Sequence, residues 1–158
     1  MEDQQIMTTA TEAIEYLEGK LPAGVTLAEF GDETEFSLTA PAEVLIETLG
    51  LLRDDERLGF DWYSQAFGID RGDSLEVVHH LHSLKTKLEC FVRVKVSKEK
   101  PVCPSAVEVY AGANWHERET FDMFGIEFEG HPDLRVILLP EGFVGNPLLK
   151  EWKPVIEK

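Results

Sequence analysis

Four ionisable side chains, Glu117, Arg118, Glu119 and Asp122, fall within the ten residues Trp115–Phe124, and clustered carboxylates of this kind could serve acid–base hydrolysis or hold a metal ion. The pattern argues against both. The carboxylates come with an arginine and without a further triad of ligands, and His116-Glu117 lacks the second histidine of a helical zinc site because position 120 is Thr. Helix chemistry accounts for the cluster more simply. Asn114 and Glu117 have capping-box spacing, and Glu117 and Glu119 suit the positive end of a helix. Arg118 and Asp122 stand four apart, a pair that contributes about 0.3–0.5 kcal/mol when exposed. No catalytic residue is expected.

Two other groups could carry chemistry. His79, His80 and His82 resemble metal ligands, yet on a strand His80 and His82 share a face while His79 points away. They are read as polar groups on the wet side of a hairpin, with no metal site. Cys90 and Cys103 are the only cysteines, which supplies neither a zinc ligand set nor the four thiolates of an iron–sulfur cluster. Reduced thiols are expected. No glycine-rich phosphate loop or nucleophile elbow is present.

The element that positions the cluster is a short helix over 115–124, closed by Gly125 in the left-handed position that ends helices. Advancing about 100° per residue from Trp115 sends Met123 and the pair Phe121 and Phe124 in nearly opposite directions. A helix on a lone globule needs one apolar stripe, so this one is expected to pack between its own domain and a second surface. Behind it run Phe128, Leu134, Ile137, Leu138, Leu139, Phe143, Leu148, Leu149 and Trp152, interrupted by Pro140, Gly142, Gly145 and Pro147. That segment is too apolar for a solvated tail and too interrupted for a helix. It should lie extended, along either its own domain or a partner's groove.

The rest of the chain reads as the supporting domain. A capping box at Thr9 and Glu12 starts a helix over about 9–19, and Gly31-Asp32 separates strands Val25–Phe30 and Glu33–Thr39. Pro41 opens a second helix over about 41–52 with Leu45, Leu49 and Leu52 on one face. Leu58–Phe67 and Leu75–Leu84 read as a hairpin about the turn at 70–73. Leu88, Cys90, Val92, Val94 and Val96 alternate against Glu89, Phe91, Arg93 and Lys95, which marks a strand with one buried face. The expected fold is α+β: a two-layer domain with helices on one face of a mixed, largely antiparallel sheet. It occupies 1–130, and an extended partner-binding tail occupies 131–158.

Charge narrows the partners. The 158 residues carry 30 acidic against 15 basic groups, a net −15 that repels phosphate backbones and argues against nucleic acid as a ligand. No run of apolar residues reaches membrane-spanning length, and nothing resembles a secretory leader, so a cytosolic chain is expected.

Residues 117–126, Glu117-Arg118-Glu119-Thr120-Phe121-Asp122-Met123-Phe124-Gly125-Ile126, continue through Gly130-His131-Pro132-Asp133-Leu134-Arg135 to Ile137-Leu138. This stretch resembles the signature segment of the C subunit of NADH-quinone oxidoreductase, respiratory complex I. A weaker likeness takes in Pro104-Ser105, Asn114-Trp115 and Trp152. The resemblance implies a structural subunit of the peripheral arm, on the cytoplasmic side of the membrane, packed against the hydrogenase-large-chain-like quinone-site subunit, the D subunit. It implies that NADH, FMN, iron–sulfur clusters and quinone belong to the assembly and none to this chain. The equivalent subunit of a membrane-bound hydrogenase, or of a dehydrogenase with another electron donor, is the alternative. Trp115, Glu117, Arg118, Glu119, Asp122, Phe124, His131, Arg135, Phe143 and Trp152 are the expected interface residues. The chain departs from the family pattern at Val136, Leu149 and Gly142-Phe143, leaving Arg118, Arg135 and Lys150 as candidate ion-pairing groups.

Overall fold

The computed structural model describes residues 6–155. Helix α1, Ala10–Leu17, starts at the expected capping box, with Thr9 and Glu12 each binding the other's backbone N–H. It ends two residues early because Gly19 adopts a positive φ. Strands β1, Thr26–Glu29, and β2, Glu35–Thr39, follow as the expected antiparallel pair. Pro41 caps a single 3-10 turn, Ala42–Val44, and helix α2, Leu45–Asp54, follows it, later than expected at both ends. Leu45, Leu49 and Leu52 are fully buried along one face of α2.

Residues 58–61 are not strand, contrary to the sequence reading. Gly59 has a positive φ of 58° and the Phe60 amide donates back to the Leu52 carbonyl, so this stretch wraps the end of α2 and buries Leu58 and Phe60. Strand β3 therefore runs Trp62–Asp70, pairing antiparallel with β4, Ser74–His82, which pairs in turn with β5, Glu89–Ser97. The order in the five-stranded sheet is β1-β2-β5-β4-β3, and β2 lies parallel to β5. Short strands β6, Val102–Pro104, and β7, Glu127–Glu129, pair parallel on either side of helix α3, Ala113–Phe124.

Phe36, Leu38, Leu75, Val77, Leu81, Cys90, Val92, Val94 and Val96 point to one side of the sheet and share a core with the buried faces of α1, α2 and α3. The α+β architecture expected from the alternation is the one observed. Helix α3 packs on β3, where the Phe124 ring sits over Gly68 so closely that a Cβ there would meet ring carbons at 2.5–3.0 Å. Residues 130–155 contain no helix or strand.

Candidate partner-docking surface

Helix α3 does not begin as a capping box. Gly112 is its cap, without a side-chain bond, so Asn114 lies inside the first turn. The Glu117 carboxylate turns instead into the interior, where it accepts from the Ser105 hydroxyl and the Ala106 amide, both at 2.6 Å. Burial pushes its pKa up to about 7 against those two hydrogen bonds. Thus Glu117 ties α3 to the loop after β6, and it has no exposed surface. His131 lies alongside, its Nε2 3.1 Å from the Asn114 carbonyl and 4.0 Å from Glu117 Oε2.

Arg118 and Asp122 do not pair with each other either. Arg118 lies over the Trp115 ring at 4.9 Å and donates through Nε to the Arg135 carbonyl at 3.0 Å. Asp122, 1% exposed, accepts three consecutive backbone amides at Oδ2, those of Ile137, Leu138 and Leu139, at 3.0, 2.7 and 3.4 Å. A buried carboxylate has to find donors, and these amides on the tail supply them. One turn of α3 thus grips the tail by its main chain.

Further along, Asn146 Nδ2 donates to the Phe121 and Asp122 carbonyls and the Leu148 amide to the Met123 carbonyl. These bonds satisfy carbonyls at the end of α3 that a helix leaves unpaired. The Lys150 amide reaches Asp70 Oδ2 at 2.9 Å, and with Lys98 it holds the Asp70 carboxyl well below the usual carboxylate range. Phe143 stacks on Trp152 at 5.7 Å, and Trp152 closes on Gly145 and donates to the Val144 carbonyl.

The tail therefore turns polar main-chain groups toward its own domain. Its apolar side chains mostly face outward: Val136, Leu138, Val144 and Leu148 are each more than half exposed, and Phe143 is exposed too. Trp115 on α3 is 64% exposed, and Arg118, which lies over its ring, donates to the tail at the Arg135 carbonyl. Leu134 and Leu149 alone among the tail's leucines pack on the core.

The expected interface set splits accordingly. Trp115, Glu119, Arg135 and Phe143 are exposed and Trp152 is half-buried. Glu117, Asp122, Phe124 and the His131 side chain are buried in their own chain, and Arg118 nearly so. Those five side chains lie beneath the surface of this chain and help to build it. A group without accessible atoms has nothing to present to a neighbour. Val136, Leu138, Val144 and Leu148, outside the expected set, are the exposed apolar residues of the tail, and which way each faces follows from the backbone rather than from its own type.

The histidines separate as strand alternation requires. His79 is fully buried and its Nδ1 lies 2.7 Å from the Tyr63 hydroxyl; burial lowers its pKa to about 4, so a neutral ring shares this hydrogen bond. His80 and His82 stand on the opposite sheet face, within reach of Glu89. Both cysteines are free and buried, and burial pushes the Cys103 thiol up to about 12 and Cys90 higher than usual as well. Neither is a reactive thiolate.

This geometry defines the class of an α+β domain that carries an outward-facing apolar strap. A family model for the respiratory-chain NADH dehydrogenase 30 Kd subunit matches residues 38–156, and the chain belongs to that family. The C subunit of the NADH-quinone oxidoreductase of Rhizobium rhizogenes is 46% identical over 121 residues, covering 75% of this chain and 60% of that protein. Its counterpart in Acidithiobacillus ferrooxidans is 40% identical over 156 residues, covering 92% of this chain and 77% of its own. Among solved structures, a trypsin-resistant fragment of Nqo5 superposes with a TM-score of 0.63 at 30% identity, over 78% of this chain and 98% of the fragment. A chain of an archaeal membrane-bound sulfane sulfur reductase reaches a TM-score of 0.71 at 20% identity, over 82% of this chain and 75% of that one, a likeness of fold alone.

Proposed function

We propose that this chain is a structural subunit without an active site of its own, seated in the peripheral arm of a proton-translocating NADH-quinone oxidoreductase. Its partner is the quinone-site subunit that resembles a hydrogenase large chain, and the flavin, iron–sulfur clusters and quinone are held by other subunits. By bracing that neighbour it supports electron transfer from NADH to quinone, on the cytoplasmic side of the membrane. No helix of the described residues is long and apolar enough to cross a membrane, in keeping with a peripheral position.

The observation that carries this reading is the outward strap. Trp115, Val136, Leu138, Phe143, Val144 and Leu148 leave apolar area in water. Full burial of each such side chain contributes roughly 1.5–3 kcal/mol, enough in sum to offset the cost of association. The clustered carboxylates support it from the other side: Glu117 and Asp122 are sealed against solvent and already bonded to their own chain.

Crosslinking mass spectrometry on the native membrane assembly tests the reading. Links from Lys150 and Lys153 to the quinone-site subunit are expected. Copurification with no subunit of such an assembly would end the proposal, and recovery with a nickel-site hydrogenase in place of a flavin-bearing subunit would overturn its assignment to NADH.

A further inference from the structure

We infer that His80, His82 and Glu89, on the sheet face opposite the helices, form a binding site for a divalent transition metal of the zinc class. His80 and His82 project from β4 on one face, and Glu89 stands on β5 directly opposite His82 in register. Each residue offers a donor atom, and these atoms lie within 4.8 Å of one another. His80 Nε2 is 2.8 Å from Glu89 Oε2, and His82 Nδ1 is 3.6 Å from Glu89 Oε1.

Donors around a tetrahedral zinc ion at about 2.0–2.2 Å sit roughly 3.4 Å apart. The His82 Nδ1–Glu89 Oε1 distance is already close to that spacing, and the His80 Nε2–Glu89 Oε2 distance reaches it by opening about 0.6 Å. Two imidazoles and a carboxylate suit zinc and its neighbours in the first transition row rather than magnesium.

The donors are held in place before any metal arrives. The His80 ring stacks on Phe91 at 4.2 Å and 11°, and its Nδ1 is buried without a partner, so its polar contact runs through Nε2 on the Glu89 side. The two β4 rings lie 4.3 Å apart. Glu35, next to Glu89 in register on β2, adds negative charge beside the trio. His82 and Glu89 are each about a third exposed, so water or a donor from a neighbouring chain could complete the coordination. Bound there, the ion would tie β4 to β5 across the turn at 83–88, away from the apolar strap.

Trp62 is exposed and opposite His82 in register, so it reports on this place. The experiment titrates Zn(II) into the full chain after chelator treatment, by calorimetry. Saturable binding of a single ion is expected, with Mg(II) giving no heat. His82→Gln and Glu89→Gln should each weaken it at least about tenfold, as loss of a ligand contact does. Both side chains are partly exposed, so the variants should keep the parent circular dichroism and melting temperature. Ni(II) should quench Trp62 fluorescence in the Trp115→Phe, Trp152→Phe background. Absence of saturable Zn(II) binding would overturn the inference. So would an affinity unmoved by both substitutions, or one abolished by His116→Gln or His131→Gln instead.

Discussion

Asp122 holds Leu138 by its backbone: the carboxylate Oδ2 lies 2.7 Å from the Leu138 amide nitrogen while the Leu138 side chain, 58% exposed, faces away. The same oxygen takes the Ile137 and Leu139 amides. A single buried charge thereby fixes which way a run of apolar residues points.

Asp122→Ala removes the acceptor from three amides at once. Hydrogen bonds to a charged group contribute about 1.5–3 kcal/mol, enough to release the strap locally while the sheet stays folded. Limited proteolysis should cut faster within residues 136–145, with unchanged far-ultraviolet circular dichroism. Equal cleavage rates in parent and variant would refute the clasp.

Glu117 gives a pH dependence of stability with an unusual sign for a carboxylate. Its folded pKa is raised from 4.5 to about 7 by burial, so its contribution is full below pH 4.5 and is lost as pH rises through 7. The span of that loss is on the order of 3 kcal/mol. Urea denaturation of the parent and of Glu117→Gln should show a gap that changes between pH 4.5 and 7 and levels off above. A gap independent of pH would refute it.

His79 works in the other direction. With its folded pKa lowered to about 4, its contribution is present above pH 6.5 and is lost as pH falls through 4. Tyr63→Phe leaves His79 Nδ1 buried without its partner, which costs about 1–3 kcal/mol at neutral pH. Thermal or chemical denaturation reads that cost, and a neutral substitution would show that the contact contributes nothing.

Leu138→Glu combined with Val144→Glu tests the strap itself. Both side chains are exposed, so the melting temperature of the free chain should move little. Recovery of partner subunits with the tagged variant should fall at least about tenfold, since charges buried unpaired in an apolar contact are costly. Undiminished recovery would place the contact elsewhere.

Strand alternation and cap chemistry made most of the domain legible in advance. The Leu88–Val96 alternation, the capping box of α1 and the glycine stop after Phe124 all describe local geometry, and local geometry follows from local sequence. The parallel β2–β5 pairing joins residues far apart in the chain, such as Glu35 and Glu89, and nothing in either strand announces it. The α3 carboxylates misled for a related reason. Asn114 and Glu117 have cap spacing, but the partners that settle Glu117 are Ser105 and Ala106, brought in by β6, and those of Asp122 are amides from the tail. An amide carries no side-chain signature, so a carboxylate bound to main chain reads in sequence as an exposed one.

The same property leaves the strap free to vary. Arg118 reads a carbonyl, Asp122 reads amides and Asn146 reads carbonyls, so none of these bonds specifies the side chains at 136–139. Val136 takes no part in the grip. Substitution there would alter the outer surface while the folded body beneath needs no matching change.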